Sequence, residues 1–144
     1  MQDQFKQSWN ASLEEHSRAI NYRMYKSEFK FERYLLELSD FQRTVLARFR
    51  LGSSKLPIER GQYQNVIRER RYCNLCENNE VGDEFHLLFQ CRNRHVTTLR
   101  HSLLPEFCHN RPNSIKFSSL MNMHDAAKLR NLVRYLDACN KLLV

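Results

Sequence analysis

The chain has 144 residues, 42% hydrophobic and 27% charged, which is enough to bury the core of one ordinary domain. Only three Gly and three Pro occur, which favours long helices and argues against a sandwich or barrel of many short strands. The net charge of +7 favours an anionic partner. We find no apolar run of about 18 residues and no apolar start, so we expect neither a membrane span nor a secretory signal.

The pattern predicts a mainly α fold: a single helical domain over residues 1–144, with a small zinc knuckle inserted in mid-chain. N-terminal helices are expected over residues 1–51. A basic lead-in, the knuckle and a following helix occupy residues 52–104, and C-terminal helices occupy residues 105–144.

Apolar and aromatic residues at helical spacing predict helices over residues 3–20 and 22–38, whose aromatic side chains we expect mainly in the core. Ser39 and Gln42 have capping-box spacing, so a third helix is expected from Asp40 to about Leu51. Phe41, Val45 and Phe49 should face inward along it, and Gly52 should end it.

The lead-in should be extended over Lys55–Glu59, because Leu56 precedes Pro57, and should turn at Gly61. Asp83 is a candidate N-cap for a short helix that carries His86, and a basic helix should cover residues 92–104. Ser114 should begin a helix that ends near Met121. Asp125 should cap the last helix, which has a long apolar stripe.

Four metal-ligand residues lie close together in the sequence. Cys73, Cys76, His86 and Cys91 follow the pattern C-x2-C-x9-H-x4-C. Three thiolates and an imidazole at this spacing predict one structural Zn²⁺ with a closed, tetrahedral coordination sphere. His86 and Cys91 would lie about 140° apart on an ideal helix, so we expect Cys91 at or beyond the helix end. The other His86 ring nitrogen should donate to a neighbour such as Asp83 or Glu84.

A redox pair is the alternative for Cys73 and Cys76, and Cys108 with His109 could compete as ligands. We expect Cys108 and Cys139 to be ordinary thiols. His95 and His101 should be surface or packing residues.

The positive charge is concentrated before the knuckle. Residues 43–71 contain eight basic and two acidic residues, which is +6 of the net +7. This predicts contacts with RNA or DNA phosphates. The candidate residues are Arg43, Arg48, Arg50, Arg60, Arg68, Arg70 and Arg71, with Arg92, Arg94 and Arg100 on the next helix. Tyr63 and Tyr72 could stack on bases or pack in the core.

The segments Leu46–Tyr63, Glu69–Cys76 and Asp83–Cys91, followed by Arg92–Arg100, resemble the C-terminal zinc-binding region of reverse transcriptases from non-LTR retrotransposons. The resemblance covers residues 30–104 well. It implies a zinc-stabilised helical module that contacts template RNA or target DNA, with Cys73, Cys76, His86 and Cys91 as its ligands. The chain departs from the family because it has no paired aspartates of a polymerase and no nuclease cluster. It therefore looks like a fragment, a degenerate element or a stand-alone derivative.

Two functions follow from the sequence. The first is a nucleic-acid-binding module of low sequence specificity. The second is a protein-interaction scaffold that docks through its aromatic helices. We do not expect an enzyme, a small-molecule substrate or a membrane partner. Thiol ligands favour a reducing intracellular compartment, the nucleus or the cytoplasm.

Overall fold

A computed structural model describes residues 2–15 and 20–143 of the chain. Within these ranges the fold is mainly α, as predicted, and contains no strand. One isolated antiparallel bridge joins Tyr72 to Val81. No helix in the described ranges is long and apolar enough to cross a membrane.

The α-helices, in chain order, are α1 (Gln2–Glu15), α2 (Tyr22–Tyr25), α3 (Tyr34–Glu37), α4 (Asp40–Arg50), α5 (Pro57–Tyr63), α6 (Arg94–Leu103), α7 (Ser114–Met121) and α8 (Ala126–Leu142). Two 3₁₀ turns cover Arg68–Arg70 and Glu106–Cys108, and a π-helical segment covers His86–Gln90.

The core is built around α8. This helix packs against α3, α4 and α6, while α7 packs against α2. Tyr135 is fully buried on α8, as Phe117 is on α7. The rings of Phe85 and Phe89 both pack edge-on against that of Phe117, so the short helix that carries His86 is part of the main core. The metal-ligand stretch is therefore packed against the interior on its apolar side.

The predicted helix over residues 22–38 is wrong. Only its two ends are helical, as the single turns α2 and α3, and the chain between them is irregular. The side chain of Lys26 is buried there, where it donates to the Lys30 carbonyl oxygen at 3.0 Å and pairs with Glu32. These side-chain contacts replace the helical backbone pattern. Phe29 and Phe31, expected mainly in the core, are exposed.

Helix α1 covers Gln2–Glu15, and the rest of the predicted helix over residues 3–20 lies mainly outside the described residues. Its Trp9 ring lies 5.7 Å from that of Phe29, centroid to centroid. Phe5 is largely exposed, so the apolar side of α1 is only partly covered.

The structure of α4 confirms most of what the sequence predicts for this helix. The Ser39 hydroxyl accepts from the Gln42 backbone, and the Gln42 side chain accepts in return, which is the predicted capping box. Gly52 follows the helix with a φ of 67°, a left-handed conformation that suits glycine. Phe49 is buried, but Phe41 is 64% exposed, so the inward orientation predicted for Phe41 is wrong. Leu46 takes the inner position instead.

The lead-in forms a helix that was not predicted. Leu56 is extended, as expected before proline, but Pro57 then occupies the first turn of α5. Gly61 lies within this helix and does not make the predicted turn. A Cβ at Gly61 would overlap the side chain of Arg71.

The C-terminal predictions are confirmed. α7 covers Ser114–Met121, and the Asp125 side chain caps α8 by accepting from the Lys128 backbone N–H at 2.9 Å.

Candidate metal centre

Four donor atoms converge at the predicted ligand residues. The sulfurs of Cys73, Cys76 and Cys91 and a ring nitrogen of His86 all lie within 4.8 Å of one another. The two sulfurs of Cys73 and Cys91 are 3.9 Å apart. Sulfurs about 2.3 Å from one tetrahedral zinc would be about 3.8 Å apart. The group can therefore hold one metal ion with little movement.

The imidazole of His86 is oriented for ligation through Nε2. This atom is 3.3 Å from the Cys76 sulfur. Nδ1, on the other side of the ring, is 3.1 Å from Glu80 Oε2, although the N–H is not aimed closely enough for a well-formed hydrogen bond. The carboxylate beside the free ring nitrogen is thus Glu80, which corrects the expected Asp83 or Glu84. A carboxylate in this position fixes the tautomer that leaves Nε2 free to bind metal.

A short backbone ladder holds the first cysteine pair. Cys73 N donates to the Glu80 carbonyl at 2.8 Å, and Gly82 N donates to the Arg71 carbonyl at 2.9 Å. The Leu75 amide points at the Cys73 sulfur at 3.4 Å. A Cβ at Gly82 would approach Cys73 Cα to 2.9 Å, so glycine permits the close approach of the two sides of the loop.

The second ligand pair lies on a widened helix. The Asp83 carboxylate accepts from the His86 backbone N–H at 2.9 Å and caps a short helix at residues 84–90, as predicted. The Cys91 N–H then bonds to the His86 carbonyl at 2.7 Å, a bond between residues five apart. This π-type bond brings residues i and i+5 back to nearly the same side of the helix. Cys91 forms the C-cap, at the helix end where it was expected.

Two side chains of the segment that begins α6 fasten the knuckle to it, one at the widened helix and one at the first cysteine pair. Arg100 is buried and donates to the carbonyls of Leu87, Leu88 and Cys91 at 2.8–3.1 Å. These carbonyls lie in the last turn of the helix, where backbone acceptors lack helical partners. Asn93 caps α6 through Oδ1 and donates through Nδ2 to the Leu75 carbonyl in the knuckle at 2.8 Å.

The contact between the sulfurs of Cys73 and Cys91 shifts the pKa values of these two thiols in opposite directions. The hydrogen bond with Cys91 lowers the pKa of Cys73, while the same contact and burial raise the pKa of Cys91. The pair therefore favours one thiolate and one thiol in the absence of a cation. A divalent metal ion would displace the remaining proton because only thiolates are strong ligands.

The other thiols lie apart from this group. Cys108 and Cys139 are buried, and burial raises the pKa of Cys108 to about 12 and that of Cys139 to about 11. In the described part of the chain, no second set of three or more metal-ligand residues converges. His95 and His101 are exposed on α6, and the His101 ring lies 4.3 Å from that of His109.

The ten arginines predicted to contact nucleic acid fall into three groups. Arg50 and Arg100 are buried, and Arg43, Arg68 and Arg71 are partly buried with their guanidinium groups engaged by the protein. Arg48, Arg60, Arg70, Arg92 and Arg94 are exposed.

Arg50 and Arg100 hold the interior together, which corrects the prediction that they contact nucleic acid. Arg50 donates to the Met121 carbonyl at 2.7 Å and pairs with Glu32 at 3.1 Å. Its guanidinium lies 4.7 Å from the Tyr25 ring centroid. With 3% and 6% of their surface exposed, neither Arg50 nor Arg100 can reach a phosphate in solution.

Three further arginines are held at the surface. Arg71 donates to the carbonyls of Val66 and Ile58 at 2.8 and 2.9 Å. Arg68 pairs with Asp83 at 3.5 Å. Arg43 contacts Asp40 and donates to the Leu35 carbonyl at 2.9 Å. The guanidinium groups of these three arginines are therefore partly occupied by contacts within the protein.

The four exposed arginines nearest to the cluster in the sequence have no such partner. Within residues 2–15 and 20–143, the guanidinium groups of Arg60, Arg70, Arg92 and Arg94 form no ion pair or hydrogen bond. Arg70 is three residues before Cys73, and Arg92 follows Cys91 directly. We call these four residues the open arginines. They flank the cluster from both sides along the chain.

Comparisons of the chain with protein-family models, curated proteins and solved structures found no match.

Sequence reasoning missed the supports of the centre. Glu80, Gly82, Asn93 and Arg100 each fix a ligand or its helix. Asn93 can be recognised from its position as a helix N-cap, but its bond to the knuckle depends on a contact 18 residues apart. Arg100 resembles any surface arginine of a basic helix until the helix is packed.

Proposed function

We propose that the chain is a zinc-stabilised module that binds RNA or DNA. The observation that carries the proposal is the set of open arginines on either side of the Cys₃His cluster. Guanidinium groups without an internal partner are free to neutralise phosphates, and each contact releases counterions from the nucleic acid. The sequence resemblance to the zinc-binding region of non-LTR reverse transcriptases favours the same class of ligand.

Zn²⁺ is the metal that best fits the donors. Three cysteines and one histidine at tetrahedral spacing are typical of structural zinc sites. Four protein donors complete the coordination sphere, so no position is left for a substrate or an activated water. The buried side of the cluster belongs to the core, which supports a structural role for the ion.

Binding should fall steeply with salt, and the open arginines should set the slope. We expect the fluorescence anisotropy of a short labelled RNA to report this between about 50 and 200 mM salt. Each lost phosphate contact reduces the slope of log K against log salt by about 0.7 for single strands, so Arg60→Gln with Arg70→Gln should reduce it by about 1.4.

The matched control is Arg130→Gln with Arg134→Gln, which removes the same charge from the exposed side of α8. This control should change the slope much less. Equal effects of the two pairs would show that only net charge matters. An affinity that Arg60→Gln with Arg70→Gln leaves unchanged would contradict the proposal.

A protein-interaction scaffold is the second candidate. Large apolar side chains are exposed in the N-terminal part of the chain, namely Phe5, Phe29, Phe31, Leu36 and Phe41. Exposed apolar side chains that form a contiguous patch are typical of docking surfaces. Self-association or partner capture that is insensitive to salt and is lost in Phe31→Ser with Leu36→Ser would favour this function.

A further inference from the structure

An open groove lies between α5 and the residues around Tyr72, where the chain enters the knuckle. Its volume is about 290 Å³, near the lower end of the range for small-molecule sites, which begins at about 300 Å³. Arg60, Gln64, Arg70, Tyr72 and Asn74 contribute to its walls. Two of these residues, Arg60 and Arg70, are open arginines.

The groove combines a cationic rim with an aromatic ring. Tyr72 is 45% exposed, although its backbone is fixed by the bridge to Val81 and by a 2.9 Å bond to the Arg70 carbonyl. The fixed backbone anchors the side chain at this position, and the exposed ring provides a surface for stacking. Tyrosine rings stack with nucleic-acid bases whatever the base, because every base has a π face.

One wall of the groove is held in place. Arg71 lines it, and its guanidinium is tied to the carbonyls of Val66 and Ile58. Gly61 has no side chain, which leaves room for Arg71 to lie against α5. A wall that is already ordered loses little conformational entropy when a ligand binds.

Polar groups without an internal partner also face the groove. In the described ranges, the side-chain amides of Gln64 and Asn74 form no hydrogen bond. Such amides can bond to base edges, which present both donors and acceptors. The groove therefore offers an aromatic ring for the face of the base, amides for its edge and guanidinium groups for the phosphate.

We propose that this groove binds one unstacked nucleotide of a single-stranded RNA or DNA, with its base on Tyr72 and its phosphates at Arg60 and Arg70. The inference rests on the proposed nucleic-acid binding and specifies its ligand as single-stranded. A base within a duplex is stacked on both faces, so it cannot reach the ring without being extruded. A duplex could use only the arginines.

Tyr72→Ala tests the proposal with oligonucleotides of one sequence, single-stranded and annealed. We expect the variant to bind the single strand about tenfold more weakly and the duplex as well as the wild type. Tyr72→Phe keeps the ring and should retain the single-strand affinity. Phe41→Ala removes an aromatic ring that is also exposed but lies far along the chain, and it is the matched control.

A fluorescent base analogue in the single strand gives a second measurement. Stacking on Tyr72 should quench its emission on binding, and Tyr72→Ala should abolish that change. Circular dichroism and zinc content would show that each variant is folded.

The outcomes separate the two proposals. If the wild type binds no nucleic acid, the proposed function itself fails. If binding is salt-dependent and requires Arg60 and Arg70, but Tyr72→Ala binds single strands as the wild type does, the proposed function stands and the stacking site is overturned. Equal losses for single strand and duplex would also overturn it.

Discussion

Arginines of this chain differ in role according to what their guanidinium groups contact. Arg92 and Arg94 are exposed and unpaired among the described residues, while Arg100, on the same helix as Arg94, is buried among carbonyls. The sequence predicts all three as phosphate contacts because composition and spacing cannot distinguish them. The difference depends on the helix face that packs against residues 84–91. A buried arginine that satisfies three acceptors stabilises the interior, since its charge would otherwise be costly to bury.

Arg100→Lys should destabilise the protein. The lysine ammonium is too compact to reach all three carbonyls that the planar guanidinium spans, so buried acceptors lose their donor. We expect a loss of about 2–3 kcal/mol in the free energy of unfolding, measured by urea titration. Arg94→Lys, at an exposed position of the same helix, should change it by less than about 0.5 kcal/mol. If the two variants have equal stability, the hydrogen bonds of Arg100 to the three carbonyls do not stabilise the fold.

Local elements are predictable where their signals are local. The capping box at Ser39 and the caps at Asp83 and Asp125 are each recognised within a few residues, and all three are confirmed. The irregular chain between α2 and α3 is not predictable in this way. Its conformation depends on the buried Lys26–Glu32 pair and on Arg50, which reaches across from α4.

The ligand helix illustrates the limit of ideal geometry. On a regular α-helix, residues five apart diverge by about 140°. The observed helix widens so that the Cys91 amide bonds to the His86 carbonyl, and both side chains face one point. The sequence identifies the four ligands, but the widening and the Arg100 contacts that accompany it need the packed structure.

The cap of the ligand helix can be tested with two variants of Asp83. Asp83→Ala removes the acceptor for the His86 amide, while Asp83→Asn retains one. Both variants lose the ion pair with Arg68 and the hydrogen bond that Asn21 Nδ2 donates to Asp83 Oδ2, so the difference between them reports mainly the cap. We expect Asp83→Ala to be about 1 kcal/mol less stable than Asp83→Asn in thermal or urea unfolding. Equal stabilities would mean that the cap contributes nothing.

At the scale of the whole molecule, the cluster joins segments that are distant in the sequence. Cys73 and Cys76 directly follow the basic lead-in, whereas His86 and Cys91 lie within and at the end of a helix that packs on α6 and on the core. A metal ion would therefore fasten the lead-in and its groove to the α8 core. The knuckle's own residues Glu77 and Glu80 are acidic, so the knuckle does not itself form a basic surface. It would instead hold in place the basic segments on either side of it.

Zinc should stabilise the whole fold by mass action. An ion that binds only the folded state raises stability by RT ln(1 + [L]/Kd), which is about 4.1 kcal/mol at a free concentration 1,000 times Kd. We expect the thermal midpoint of reduced protein to fall when a chelator is added. Cys91→Ser should abolish this response. Cys108→Ser, a change at a buried thiol outside the cluster, should retain it, whatever its own stability. An unchanged midpoint after chelation would contradict a stabilising ion.

The central claim is that the Cys₃His cluster binds one zinc ion, and metal analysis of the purified, reduced and folded chain tests it most directly. Native mass spectrometry should show one zinc per chain in the wild type and none in His86→Ala. Wild-type protein that is folded by circular dichroism and carries no zinc would contradict the claim.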